Sequence, residues 1–148
     1  MVQKDWQNRG GENGAAVGPN FGAVLGFEHL ESPEGIAIIE LKLRQEHCNL
    51  HGFVHGGVLM SLMDAAGLWA NALKDGSVPA AATASLNCNF LRGARSGKVE
   101  SLRAEGEVTK RGRAIYFSSI SVYASPGGDL VASGQGVYSI APQRVEAG

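Results

Sequence analysis

Between Asn49 and Asp64 the chain reads N-L-H-G-F-V-H-G-G-V-L-M-S-L-M-D. A polar loop and two glycines come directly before a strongly apolar helical stretch, in which Asp64 is the only formally charged side chain from His55 to Leu73. A carboxylate in such surroundings is costly to ionise unless it is paired or hydrogen-bonded. Asp64 is therefore either a satisfied structural acid or a functional one. Gly56 and Gly57 fall where the helix begins. Backbone N–H groups at a helix N-terminus are hydrogen-bond donors at the positive end of the helix dipole. With no Cβ, these glycines let a ligand carbonyl come close.

The elements that hold these residues follow from the flanking pattern. Residues 1–18 are polar and glycine-rich and read as a loose arm. Asn20 to Phe27 reads as a short helix with Asn20 as N-cap. Ser32-Pro33-Glu34-Gly35 is a turn signal. In Ile36 to Arg44, Ile39, Leu41 and Leu43 alternate with Glu40, Lys42 and Arg44, as in a half-buried strand. His47 to Val54 reads as loop. Gly56 to Leu73 predicts one long helix, apolar around most of its circumference and hence buried, with Gly76 as its stop. Strands are expected at Ala80–Leu91, Lys98–Lys110, Ala114–Tyr123 and Leu130–Ile140, the last two joined by the Pro126-Gly127-Gly128-Asp129 hairpin turn. A sheet curled around a single apolar helix is the natural α+β solution. The expected organisation is one domain over 19–142, with the arm at 1–18 and a short tail at 143–148.

Composition bounds the function. The chain has 148 residues, 44% of them hydrophobic, with a formal net charge of −1. That is enough for a real core, and it argues against electrostatic binding to nucleic acid or to an anionic membrane. No run suits a membrane span. The N-terminal residues have no apolar core of the secretory kind, so a cytoplasmic location is expected. Cys48 and Cys88 lack C-x-x-C spacing and read as free thiols. No carboxylate and imidazole set has ligand spacing, so no metal is expected.

The element order and the central motif resemble the hotdog fold, a curved antiparallel sheet around a long helix. More narrowly, Asn49, His55-Gly56-Gly57 and Asp64, together with Thr83-Ala84-Ser85-Leu86-Asn87-Cys88-Asn89-Phe90-Leu91-Arg92, resemble the acyl-CoA thioesterases of the phenylacetate-degradation (PaaI-like) type. The resemblance covers roughly residues 20–142. Gly93 departs from it, since many relatives have proline there.

The resemblance implies hydrolysis of an aryl-, short- or medium-chain acyl-CoA to free acid and CoA, without a cofactor beyond the coenzyme A of the substrate. It implies that the Gly56 N–H polarises the thioester carbonyl, that Asn49 orients the water or the carbonyl, that Asp64 is general base or nucleophile, and that Thr83 holds Asp64 or the water. His55, Gly57 and Phe90 are expected to contact substrate, although His55 reads more simply as a cap for the helix. His47 and His51 read as loop packing. Arg92, Arg111 and Arg113, with Lys110, are either ligands for the coenzyme A phosphates or a solvated edge. Phe53, Met60, Met63, Trp69 and Phe90 line an acyl pocket or belong to the core.

Spacing adds an independent inference. Asp64 lies seven residues beyond Gly57, about 10 Å along the axis and on nearly the same face. That is too far for both to act on one carbon. If both act on one thioester, the second comes from another chain, through antiparallel helices related by a two-fold axis. The family's dimer, with active sites at the interface, fits this, and a homotetramer is expected beyond it. The competing reading is a non-catalytic hotdog module that binds acyl-CoA as a sensor or regulator. No helix-turn-helix segment precedes the domain to support it.

Overall fold

The computed structural model describes residues 20–142; the expected arm and tail lie outside the described residues. A short helix α1 (Phe21–Leu25) leads into strands β1 (Phe27–Glu31) and β2 (Ile36–Lys42). A single 3-10 turn (Gln45–His47) and a loop then reach the long helix α2 (Gly56–Trp69). Strands β3 (Ala81–Phe90), β4 (Ser101–Arg111), β5 (Ile115–Ser125) and β6 (Leu130–Ile140) follow. All strands join one six-stranded sheet in the order β1-β2-β4-β5-β6-β3, and every pair is antiparallel. This is the α+β arrangement expected, a curved sheet around one main helix.

The core lies between α2 and the concave face of the sheet. Leu59, Leu62, Met63 and Ala66 of the helix are buried with Leu41, Leu102, Ala104, Ile120, Val122 and Val131 of the strands. Each fully buried aliphatic side chain of this size contributes roughly 1.5–3 kcal/mol. The helix backbone rests directly on β4. A Cβ at Gly106 would overlap the carbonyl of Ala66, so only glycine permits that approach.

Three details differ from the sequence reading. Strand β1 was not expected. Gly26, at φ 83°, ends α1 and turns the chain at once into a five-residue strand, too short for its alternation to stand out. Helix α2 stops at Trp69 rather than Leu73. Its last carbonyls are taken by side chains of β5: Ser118 Oγ donates to Gly67 O (2.9 Å) and Tyr116 Oη to Leu68 O (2.8 Å). The buried Asn71 then donates through Nδ2 to Pro79 O (3.1 Å), drawing the chain off the helix axis.

The third difference concerns coverage. The helix, apolar around most of its circumference, was expected to be buried, but one chain covers only part of it: Gly57 and Met60 are exposed, and Ser61, Asp64 and Leu68 are half-buried. Strand β3 runs beside this uncovered face, bonded to β6 on one side and at the sheet edge on the other. Most of its residues are exposed, and Ala81–Phe90 contains no charge and no proline. The other edge strand, β1, carries Glu28 and Glu31.

Candidate active site

Asp64 sits past the middle of α2 on its uncovered face, and Thr83 Oγ1 donates to its Oδ1 at 2.6 Å. A bulge makes this contact possible. In the β3–β6 ladder Thr83 pairs with Tyr138 and Ser85 with Val137, so Ala84 is an extra residue. Inward positions on β3 are otherwise even-numbered: Leu86 and Cys88 pack against the core. Because side chains alternate along a strand, an uninterrupted β3 would turn Thr83 outward; the extra residue turns it back toward the helix. The negative charge of Asp64 is felt nearby. Burial first, and Asp64 second, push the thiol of Cys88 up from its ordinary range. The same two causes raise the hydroxyl of Tyr138.

The loop before α2 is built by its own polar groups. Asn49 Oδ1 accepts from the backbone N–H groups of His51 (2.9 Å) and Phe53 (3.1 Å). The acceptor end of this carboxamide is thus spent on the loop, and its Nδ2 has no partner among the described residues. His55 is the N-cap of α2, and its Nδ1 accepts from Gly57 N–H at 2.9 Å. The N–H groups of Val58 and Leu59 both donate to His55 O. In this first turn, among the described residues, only the Gly56 N–H is left without an acceptor. The ring of Phe90 covers that turn, 3.5 Å from where a Gly56 Cβ would stand.

His47 anchors the loop from behind. Its ring is buried; Nδ1 accepts from Arg44 N–H (3.0 Å), Nε2 donates to Leu25 O (2.8 Å), and its carbonyl accepts from His55 N–H (2.9 Å). Burial, opposed by the Leu25 bond and reinforced by the Arg44 charge, holds this histidine below its ordinary value of 6.5. His51 is exposed on the loop.

The expected phosphate ligands are scattered. Arg92 pairs with Asp129 at 3.0 Å, both exposed. Arg111 donates to Asn71 Oδ1 and lies over the Tyr116 ring (5.9 Å to the centroid), at the C-terminal end of α2. Within one chain it is roughly 20 Å from Gly56, the length of the helix. Arg113 and Lys110 are exposed near the β4–β5 turn. Sequence reasoning did not single out Arg95, whose guanidinium lies over the Phe53 ring (5.4 Å to the centroid) beside the helix N-terminus. It also missed Tyr116 and Ser118. Their signal was legible: two hydroxyls in line with the inward-facing Ile120 and Val122 of β5.

Among the described residues no group of three or more His, Cys, Asp or Glu side chains is gathered as for a metal ion. No helix among them is long and apolar enough to cross a membrane.

Known proteins share this fold. The thioesterase superfamily model matches residues 51–131, more than half of the chain. Human acyl-coenzyme A thioesterase 13 is 30% identical over 117 residues, which cover 78% of this chain and 81% of the relative. The E. coli PaaI protein from the phenylacetic acid degradation operon superposes with a TM-score of 0.73 at 25% identity, covering 82% of this chain and 83% of that one. Zebra fish thioesterase superfamily member 2 superposes at 0.72 with 26% identity, covering 85% and 90%. The fold and these relatives define an enzyme of the hotdog thioesterase class. The chain belongs to the thioesterase superfamily and is PaaI-like within it.

Proposed function

We propose that the chain hydrolyses acyl-CoA thioesters, through sites that each draw on two copies of it. The observation that carries this reading is the Asp64–Thr83 pair on the uncovered face of α2, with the Gly56 N–H left over at the start of the same helix. The name of the human relative supports coenzyme A as the carrier.

In this reading the Gly56 N–H donates to the thioester carbonyl oxygen and follows it as it becomes an oxyanion. Asn49 donates through Nδ2, since its oxygen is already engaged, and so bears on the carbonyl rather than on a water proton. Thr83 holds one oxygen of Asp64 and leaves Oδ2 for the reaction. That oxygen takes a proton from water as the water attacks, or attacks the carbonyl carbon itself, with water then releasing the acyl group. Either way the C–S bond breaks, and the products are the free acid and the thiol of coenzyme A. His55 stands as the cap of α2, fixing Gly57 and the loop.

The oxyanion donor and the carboxylate lie too far apart on one helix for one carbon. A second copy, packed against the uncovered face of α2 and the open edge of β3, brings its own Asp64 to the Gly56 of the first. The uncharged edge of β3 supports this, because open edges that stay in water are normally guarded by charge or proline. The test is thiol release from aryl, short, medium and long acyl-CoAs without added metal. Turnover of at least one is expected. Acyl-CoA binding without turnover of any would overturn the enzyme reading in favour of a sensor.

A further inference from the structure

We propose that Arg95 and Lys98, with the Phe53 ring beneath Arg95, form the binding site for the phosphate-bearing nucleotide half of coenzyme A. The inference rests on the acyl-CoA reading and assigns residues to a part of the substrate which that reading leaves unplaced.

The segment after β3 reads L-R-G-A-R-S-G-K-V-E, with Arg92, Arg95 and Lys98 close together. It is not a loose loop. Val54 N–H donates to Ala94 O (2.8 Å) and Ser96 N–H to Gly52 O (2.9 Å), so the segment is stitched to the loop that carries Asn49 and His55. Ala94 is buried, and a Cβ at Gly93 would stand 2.9 Å from the Phe53 ring, so the backbone lies flush against that ring. Gly97, at φ 82°, turns the chain, and Lys98 N–H donates to Arg95 O (3.1 Å). The backbone that carries both cations is therefore held against the loop that leads into α2.

Their charges are available. Arg92 is matched by Asp129, and Arg111 is held at the opposite end of the helix. Among the described residues neither Arg95 nor Lys98 has a carboxylate partner. With its guanidinium over the Phe53 ring, the exposed Arg95 offers a planar fork of N–H donors that suits bidentate phosphate binding, while Lys98 adds a point charge. Coenzyme A carries a 3′-phosphate and a 5′-diphosphate at the far end of its pantetheine arm from the thioester. The loop that carries Arg95 and Lys98 is exposed and borders the segment that leads into α2, within reach of the flexible arm of a coenzyme A whose thioester is held at Gly56.

The test compares one acyl group on two carriers, coenzyme A and N-acetylcysteamine, which has no phosphates. Arg95→Gln with Lys98→Gln should raise KM for the coenzyme A substrate by about tenfold or more with little change in kcat. It should also flatten the dependence of that KM on salt. The loss should be confined to the coenzyme A substrate, and Arg95→Lys should recover part of it. Equal losses on both carriers, or none on either, would overturn the site while leaving the thioesterase reading intact. Calorimetric titration with adenosine 3′,5′-bisphosphate reads the same site without turnover. Binding by the unaltered protein that is lost in the double variant supports the site even if no thioester is hydrolysed; no binding by the unaltered protein overturns it.

Discussion

At the scale of residues, the pair that matters is Asp64 and Thr83. Asp64→Asn keeps the volume and still offers an oxygen to the Thr83 hydroxyl, so the fold should survive while the proposed base or nucleophile is lost. The expected result is unchanged thermal stability with kcat lower by about 10²-fold or more. A collapse in stability with activity retained per folded molecule would make Asp64 a structural acid. The lone carboxylate and the two glycines were legible in the sequence because each contradicts its neighbours: a charge among apolar side chains, and a pair of residues without Cβ where a helix begins. The meeting of Thr83 with Asp64 was legible only through family resemblance. The inserted Ala84 that turns Thr83 inward breaks the period-two pattern on which a strand reading depends.

At the scale of elements, the start of α2 rests on His47, which ties the loop to α1 and to β2. The ring accepts from Arg44 N–H only while it is neutral, and its folded value lies below the ordinary 6.5. Above 6.5 it is neutral in both folded and unfolded chains, and its contribution is complete. As pH falls below 6.5 the unfolded chain takes up the proton first, and that contribution is lost progressively toward the depressed folded value. Denaturant midpoints measured at pH 8 and near pH 5 should therefore diverge more for the unaltered protein than for His47→Gln. A difference of equal size in both would remove His47 from the account. Element type was readable where periodicity ran long, as in α2 and β4 to β6. It failed at β1, which is too short, and at the end of α2, where Tyr116 and Ser118 of a strand far along the chain complete the helix.

At the scale of the whole molecule, the uncovered helix face and the separation of Gly56 from Asp64 make a prediction that does not depend on the substrate. Asn49→Ala and Asp64→Ala chains should each be nearly inactive alone. In a mixed dimer one site receives both lesions and the other neither. Random re-association makes about half of the dimers mixed, each with one of two sites intact, so thiol release should recover to roughly a quarter of the unaltered level. Verified heterodimers as inactive as either parent would mean that each site is built within one chain.

The open edge of β3 also bears on how such a chain survives its own synthesis. Until it is covered, ten consecutive uncharged residues from Ala81 to Phe90 offer unpaired backbone groups to any extended segment they meet. Most edge strands carry a deterrent against this, and a lysine at Asn87 or Asn89 would supply one here. It would do so at the spot the proposed second copy would occupy. In the proposed two-copy enzyme the absence of charge leaves this edge free for the second copy, so the step most exposed to aggregation is also the step that would complete the site.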